Sequence, residues 1–134
     1  DEIAKAEADF RRILVIDPSN VATLNALGYT LADRTDRYRE ALELIDRARV
    51  ADPGNGAIID SYGWVLYKLG RKREALDYLR RAYALQKDPD IASHLGQVLW
   101  ELGERDEARR HFDEARKLDP ENRSLLRALQ ETGA

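Results

Sequence analysis

The chain has 134 residues, 43% apolar and 35% charged, which suits one domain or one short array with a continuous core and an extensively solvated surface. Its 22 Lys and Arg against 25 Asp and Glu leave a net charge of −3, so no global field favours nucleic acid or an anionic membrane. The lack of cysteine excludes disulfides, thiolate nucleophiles and Cys-ligated metals, and apolar runs such as Ile13-Leu14-Val15-Ile16 are far too short to span a bilayer.

A first helix is expected over 2–16, carrying Ala6, Phe10 and Ile13 at helical spacing. Asp17-Pro18-Ser19-Asn20 ends it. Proline cannot continue a helix and pushes the preceding residue out of the α region, while Asn just beyond can cap the next helix. An antiparallel pair follows at 20–34 and 37–51 with anchors Leu24, Gly28, Ala41 and Ile45; its turn, Asp33 to Arg37, contains no glycine. Asp52-Pro53-Gly54-Asn55 then opens a second pair at 56–69 and 72–86, anchored by Ile59, Gly63, Ala75 and Leu79. Gly70, seven residues after Gly63, suits the left-handed conformation that closes a helix, as does Gly103 after Gly96. The third pair, at 89–102 and 105–118, has anchors Ala92, Gly96, Ala108 and Phe112 behind a shortened Asp88-Pro89-Asp90. Pro89 lies seven before Gly96, where Pro18 and Pro53 lie ten before their glycines, so Pro89 is expected at the start of its helix. Asp119-Pro120-Glu121-Asn122 leads to a last helix near 122–132, whose Leu125, Leu126 and Leu129 form an apolar edge while Arg123, Arg127, Gln130 and Glu131 meet water.

These marks recur with one period. The prolines at 18, 53, 89 and 120, the alanines at 6, 41, 75 and 108 and the glycines at 28, 63 and 96 all return after about 34 residues. Leu27-Gly28, Tyr62-Gly63 and Leu95-Gly96, the Ala twelve or thirteen residues later, and Ile45, Leu79 and Phe112 four beyond that resemble the tetratricopeptide repeat. Leu24, Ile59 and Ala92 stand where that pattern has Trp. The resemblance covers nearly the whole chain. It implies an all-α, right-handed superhelix of antiparallel helix pairs with a C-terminal capping helix. Residues 1–19 would be the second helix of a truncated preceding repeat, 20–54, 55–87 and 88–121 three repeats, and 122–134 the cap. The wording of NALGYTLADR, DSYGWVLYKLGR and IASHLGQVLWELG is also similar to C-terminal repeats of proteobacterial outer-membrane lipoproteins, among them adaptors for a periplasmic carboxyl-terminal processing protease.

In the family, first helices line a concave face, and the resemblance places its ligand-facing columns at fixed offsets from the glycine. The implied groove residues are Asn25, Tyr29, Asp33, Asp60, Trp64, Tyr67, Lys68, Asp90, Gln97, Trp100 and Glu101, with Ala22, Ala57, Ser93 and Ala32 filling the same columns. Trp64 and Tyr67 are i, i+3 neighbours with Trp100 one repeat on, so an aromatic patch crosses adjacent units unless these side chains serve as core. Asp33, Asp60, Asp90 and Glu101 are either solvated charges or selectors for a partner carrying Lys or Arg beside apolar residues. The carboxylate clamp that family members use on chaperone tails is not matched, since Ala26, Ser61 and His94 occupy its places.

No catalytic, metal or cofactor site emerges. His94 and His111 lie seventeen apart with no carboxylate spacing for zinc and read as incidental; Ser93 and His94, adjacent on a helix, point apart. The basic runs Arg71-Lys72-Arg73, Arg80-Arg81 and Arg109-Arg110 alternate with acids as a solvated face does. The expected function is therefore a non-catalytic adaptor binding a protein or extended peptide in its groove, with no nucleic acid and no membrane insertion by this segment. The alternative is a structural or oligomerising stretch of a longer solenoid, self-associating through an uncapped N-terminal end. The lipoprotein likeness implies the periplasmic side of a bacterial outer membrane; a cysteine-free composition fits the cytoplasm equally.

Overall fold

A computed structural model describes residues 1–134. It is all helical: α1 (Glu2–Ile16), α2 (Val21–Arg34), α3 (Tyr38–Ala51), α4 (Gly56–Lys68), α5 (Lys72–Leu85), α6 (Pro89–Glu101), α7 (Arg105–Leu118) and α8 (Arg123–Thr132). The pairs α2/α3, α4/α5 and α6/α7 stack into a right-handed superhelix in which α2 packs on α4, α4 on α6 and α6 on α8. No helix is long and apolar enough to cross a membrane.

The recurring Asp-Pro-x-Asn is a two-part device. Asn20 Oδ1 accepts from Thr23 N at 2.9 Å, and Asn55 Oδ1 from Ala57 N and Ile58 N at 3.0 and 3.3 Å, each satisfying donors that a helix start leaves unpaired. The Asp holds the cap in place, Asn20 Nδ2 donating to Asp17 Oδ2 at 3.3 Å and Asn55 Nδ2 to Asp52 Oδ2 at 3.1 Å. In the compressed junction Pro89 is the first residue of α6 and Asp88 becomes the cap, accepting from Asp90 N at 2.8 Å.

Inside the second and third pairs the turns close on Gly70 (φ +85°) and Gly103 (φ +91°), with Arg71 N donating to Leu66 O and Glu104 N to Leu99 O at 2.9 Å. The glycine-free first turn uses Thr35 instead. Its Oγ1 donates to Leu31 O at 2.6 Å and accepts from Arg37 N at 3.0 Å, so a hydroxyl secures a turn in extended backbone.

Gly28, Gly63 and Gly96 let the two helices of each pair close up. A Cβ on Gly96 would stand 2.5 Å from Phe112 Cε1, and one on Gly28 2.5 Å from Ile45 Cγ1. Gly96→Ala is expected to cost about 1–3 kcal/mol because the buried Phe112 ring has nowhere to retreat. An unchanged urea midpoint would count against this contact.

The core runs through the stack in two connected blocks. One joins Leu24, Leu27, Leu31, Ile45 and Ile58; the other joins Ile59, Leu79, Leu95, Phe112 and Leu125. Helix α4 serves both, because neighbouring Ile58 and Ile59 point to different sides. At the N-terminal end α1 buries no residue completely, and ion pairs tie it to α3. Glu7 accepts from Arg37 at 2.7 and 2.9 Å and from Arg11, which also pairs with Glu40. The hydrogen bonds from Arg37 and then Arg11 hold Glu7 down to about 2. Exposure of the arginines to solvent limits such a pair to below about 1 kcal/mol.

The capping helix departs from expectation. Leu125 and Ala128 are buried, whereas Leu126 is 51% exposed. Arg127 and Glu131, expected to meet water, turn toward the concave face and bond there.

Candidate functional site: the concave face

The caps give a common ruler for the first helices. Asn25, Asp60, Ser93 and Arg127 are each the fifth residue after Asn20, Asn55, Asp88 and Asn122, so α8 takes the place of a fourth first helix and contributes to the same columns. The concave face is thus built by α2, α4, α6 and α8, and its curvature decides which columns remain open. At the helix N-termini Ala22, Ala57 and Asp90 are exposed. One and two turns further in, Asp60, Ser93, Trp64 and Gln97 are buried, and α6 is covered continuously from Ile91 to Leu99.

His94 organises the buried layer. Its Nδ1 lies 2.9 and 3.1 Å from the Asp60 carboxylate oxygens, and its Nε2 lies 3.2 Å from the Tyr29 hydroxyl. With Nδ1–H donating to Asp60, Nε2 is free to accept from Tyr29. The imidazole stacks on Trp64 with ring centroids 4.1 Å apart, and Trp64 stacks in turn on Tyr67 at 4.8 Å. Burial pushes Asp60 above the usual carboxylate range, and His94 offsets only part of that. Burial, then the Asp33 and Asp60 carboxylates, push the Tyr29 hydroxyl up as well.

Asp33 closes the layer across the groove. It accepts from Trp64 Nε1 at 3.2 Å and takes a two-point bond from Arg127, Nη1 to Oδ2 at 3.0 Å and Nη2 to Oδ1 at 2.8 Å. Burial raises Asp33, but the Arg127 guanidinium and the indole N–H outweigh it and hold the carboxyl below its ordinary value. A second polar cluster seals the other end of the layer: Gln97 Nε2 donates to Glu131 at 2.7 Å and to Tyr67 Oη at 3.3 Å, while the Tyr67 hydroxyl donates to Glu101 at 2.5 Å.

The sequence-derived site residues therefore separate into three groups. Asn25, Tyr29, Asp60 and Asp90 come together around a cavity of about 220 Å³, with Asp88 and Gln86 at its edge. Trp64, Gln97, Tyr67 and Asp33 form the closed layer, Glu101 bonds to Tyr67 from its exposed rim, and Lys68 Nζ caps it, 5.2 Å from the Trp64 ring centroid. Trp100 belongs to neither group. It packs against the core cluster of α6 and α7, covered by the Arg105 and Arg109 guanidinia at 4.6 and 5.1 Å.

Three expectations are corrected. The aromatic row Trp64–Tyr67–Trp100 is replaced by Tyr29–His94–Trp64–Tyr67, because the curvature brings His94 against Trp64 and leaves Trp100 to α7. Trp64, 1% exposed, is the buried floor of the face instead of an exposed anchor. Asp60 and His94 are respectively no solvated charge and no incidental histidine, since each is the other's buried partner. Residues that sequence reasoning missed here are His94, Arg127, Glu131 and Asn122, whose Nδ2 donates to Asp90 Oδ1 at 2.9 Å. The available signal was register: counting from the Asp-Pro-x-Asn caps puts Arg127 in the column of Asn25 and Asp60.

Profiles described as "Tetratricopeptide repeat" match residues 1–56, 57–88 and 89–122. A TPR repeat-containing protein of Pseudomonas aeruginosa is 46% identical over 97 residues, 72% of this chain, and the match spans 16% of that protein's length. Among solved structures, MamA superposes with a TM-score of 0.70 at 27% identity over 98% of this chain and 79% of its own. A mutant of the Thermobaculum terrenum O-GlcNAc transferase matches 74% of this chain and 19% of its own at 28% identity, TM-score 0.69. A thermophilic TPR protein of Thermus thermophilus shares the fold over 96% of this chain and 72% of its own, with a TM-score of 0.76 at 22% identity. The chain belongs to the tetratricopeptide repeat family, whose stacked helix pairs serve as protein-interaction scaffolds.

Proposed function

We propose that the concave face binds a protein or extended peptide that carries basic and apolar residues, entering at the open N-terminal ends of α2, α4 and α6. The observation that carries this reading is the cavity of about 220 Å³ between those helices. It combines apolar walls, Ala26, Ala57 and Ile91, with the acids Asp88 and Asp90 and a buried Asn25 Oδ1 that has no hydrogen-bond partner. A buried acceptor left without a donor costs about 1–3 kcal/mol, which a donor side chain from a partner would recover. The surrounding carboxylates favour that donor being cationic.

The reading is non-catalytic. Asp60, His94 and Tyr29 form a carboxylate–imidazole–hydroxyl chain, but the Tyr29 hydroxyl is pushed up, opposite to the activation a nucleophile needs. Nucleic acid is an unsuitable partner because the chain carries a net charge of −3 and several of its basic side chains are engaged, Arg71 with Glu74, Arg80 with Glu107, Arg105 and Arg109 on Trp100. The compartment we propose, the periplasmic side of a bacterial outer membrane, is supported by the sequence resemblance alone.

Immobilised native chain is expected to retain a partner from the periplasmic fraction of the source cell, and Ala57→Arg with Asp90→Lys is expected to lose it while helical content persists. Both positions are exposed, and the one bond lost, from Asn122 Nδ2 to Asp90 Oδ1 at 2.9 Å, is itself exposed, so helical content is the control for the fold. Equal retention by the variant would remove the groove from the function. Retention from the cytosolic fraction only would move the compartment. A second reading, a segment that self-associates, is supported by exposed Ile13, Val15 and Ile16 on α1. Under it the groove variant changes nothing and mass by light scattering rises with concentration.

A further inference from the structure

We propose that Arg127 is a built-in stand-in for a partner's arginine, so that the C-terminal helix gates the concave face until an incoming arginine displaces it. This rests on the groove-binding reading above and adds the identity of the residue read and the device that controls access to it.

Four observations lead here. The pair is the only link that crosses the groove from α8 to α2: no Cα of α2 lies within 8 Å of α8, yet the Arg127 fork reaches both Asp33 oxygens. Asp33 is prepared to receive such a fork, because the Trp64 indole N–H fixes one oxygen while the carboxylate is only 10% exposed. Arg127 itself is 35% exposed and can swing to solvent without uncovering α8, which stays anchored by buried Leu125 and Ala128. Finally, a cavity of about 480 Å³ borders the pair, lined by Tyr29, Asp33, Arg34, Asp90, Arg123 and Arg127. It shares Tyr29 and Asp90 with the smaller cavity at the open ends, so a chain entering there is led to Asp33.

The chemistry selects arginine over lysine. A planar guanidinium matches two carboxylate oxygens with two parallel N–H bonds, whereas an ammonium satisfies one point. Exchange of one guanidinium for another at Asp33 leaves the local bonding unchanged. Capture then draws its free energy from the rest of the partner, and a ligand without arginine meets a closed face. Removing Arg127 removes the competitor and raises apparent affinity by the reciprocal of the fraction of time the gate stands open.

The test uses the full chain and fluorescein-labelled heptapeptides with a single arginine between aliphatic residues, the same peptide with citrulline, and the same with lysine. Arg127→Gln is expected to bind the arginine peptide about tenfold more tightly than the native chain. The citrulline peptide should gain nothing, the lysine peptide should gain less, and Asp33→Asn added to Arg127→Gln should abolish the gain. Arg127→Lys, which keeps a charge but not the fork, provides a milder opening if the glutamine variant loses helicity. Equal affinity of native and variant chains for the arginine peptide, no binding by either, or an equal gain for citrulline would overturn the gate. Loss of partner capture by Ala57→Arg with Asp90→Lys alongside such a result would leave the groove reading standing and remove the gate alone.

Discussion

Trp64→Ala is expected to destabilise the chain by about 3–5 kcal/mol, the range for truncating a buried aromatic side chain, and to show it as a lower urea midpoint and a broadened transition. Trp64 is 1% exposed, stacks on His94 and Tyr67, and holds Asp33 through its indole N–H. Truncation therefore opens a cavity and removes a donor from a carboxylate only 10% exposed in one step. Domain stabilities are typically about 5–15 kcal/mol, so the loss is a large share of the total. Trp64→Phe keeps a ring against His94 and lacks only the indole donor and some volume, so about 1–2 kcal/mol is expected. A Trp64→Ala chain with native stability would mean that the aromatic layer is not what fixes α4 against α6.

His94→Ala is expected to cost about 3–5 kcal/mol at neutral pH, because it leaves Asp60 buried without its partner. The pH dependence has a definite sign. Burial raises Asp60 above its unfolded value of about 3.9, so its contribution favours the native state below that pH and is lost as pH rises through the raised folded value. Without His94 nothing offsets the burial, and the deficit of His94→Ala should shrink as pH falls from 7 toward 4. Urea midpoints of native and variant chains across that range check this. Adding Asp60→Leu should restore part of the lost stability at pH 7, since the buried charge is gone. A deficit that is constant with pH, or below about 1 kcal/mol, would show that Asp60 and His94 are not a coupled buried pair.

Both predictions concern residues whose type was visible in the sequence while their situation was not. Trp64 stands in a groove-facing column by the family's offsets, and that column is half-buried at Tyr29 and fully closed at Trp64 and Gln97. The difference arises because neighbouring helices cover Trp64 with His94 and Asp33 and place Glu131 on Gln97. Offsets within one repeat carry no information about such neighbours. Asp60 and His94 are thirty-four residues apart, one period, and face each other only because successive first helices lie side by side in register. The repeat length implies that neighbourhood, but not that the side chains at those two positions point at each other. Leu126 shows the reverse: its spacing with Leu125 and Leu129 predicts the apolar edge, yet it is 51% exposed, because α8 packs mainly on α6 and turns Leu126 away.

The sequence by itself determined the eight helices, their ends and their order, because those follow from chemistry acting within a few residues. Proline stops a helix, Asn or Asp caps the next, Gly70 and Gly103 supply the left-handed turn, and Gly28, Gly63 and Gly96 leave room for Ile45, Leu79 and Phe112. Only the tertiary structure decided which concave residues are floor, which remain open, and that the last helix reaches back to the first pair. Those outcomes depend on the summed rotation of successive pairs, a quantity to which every interface contributes a little and no single residue announces.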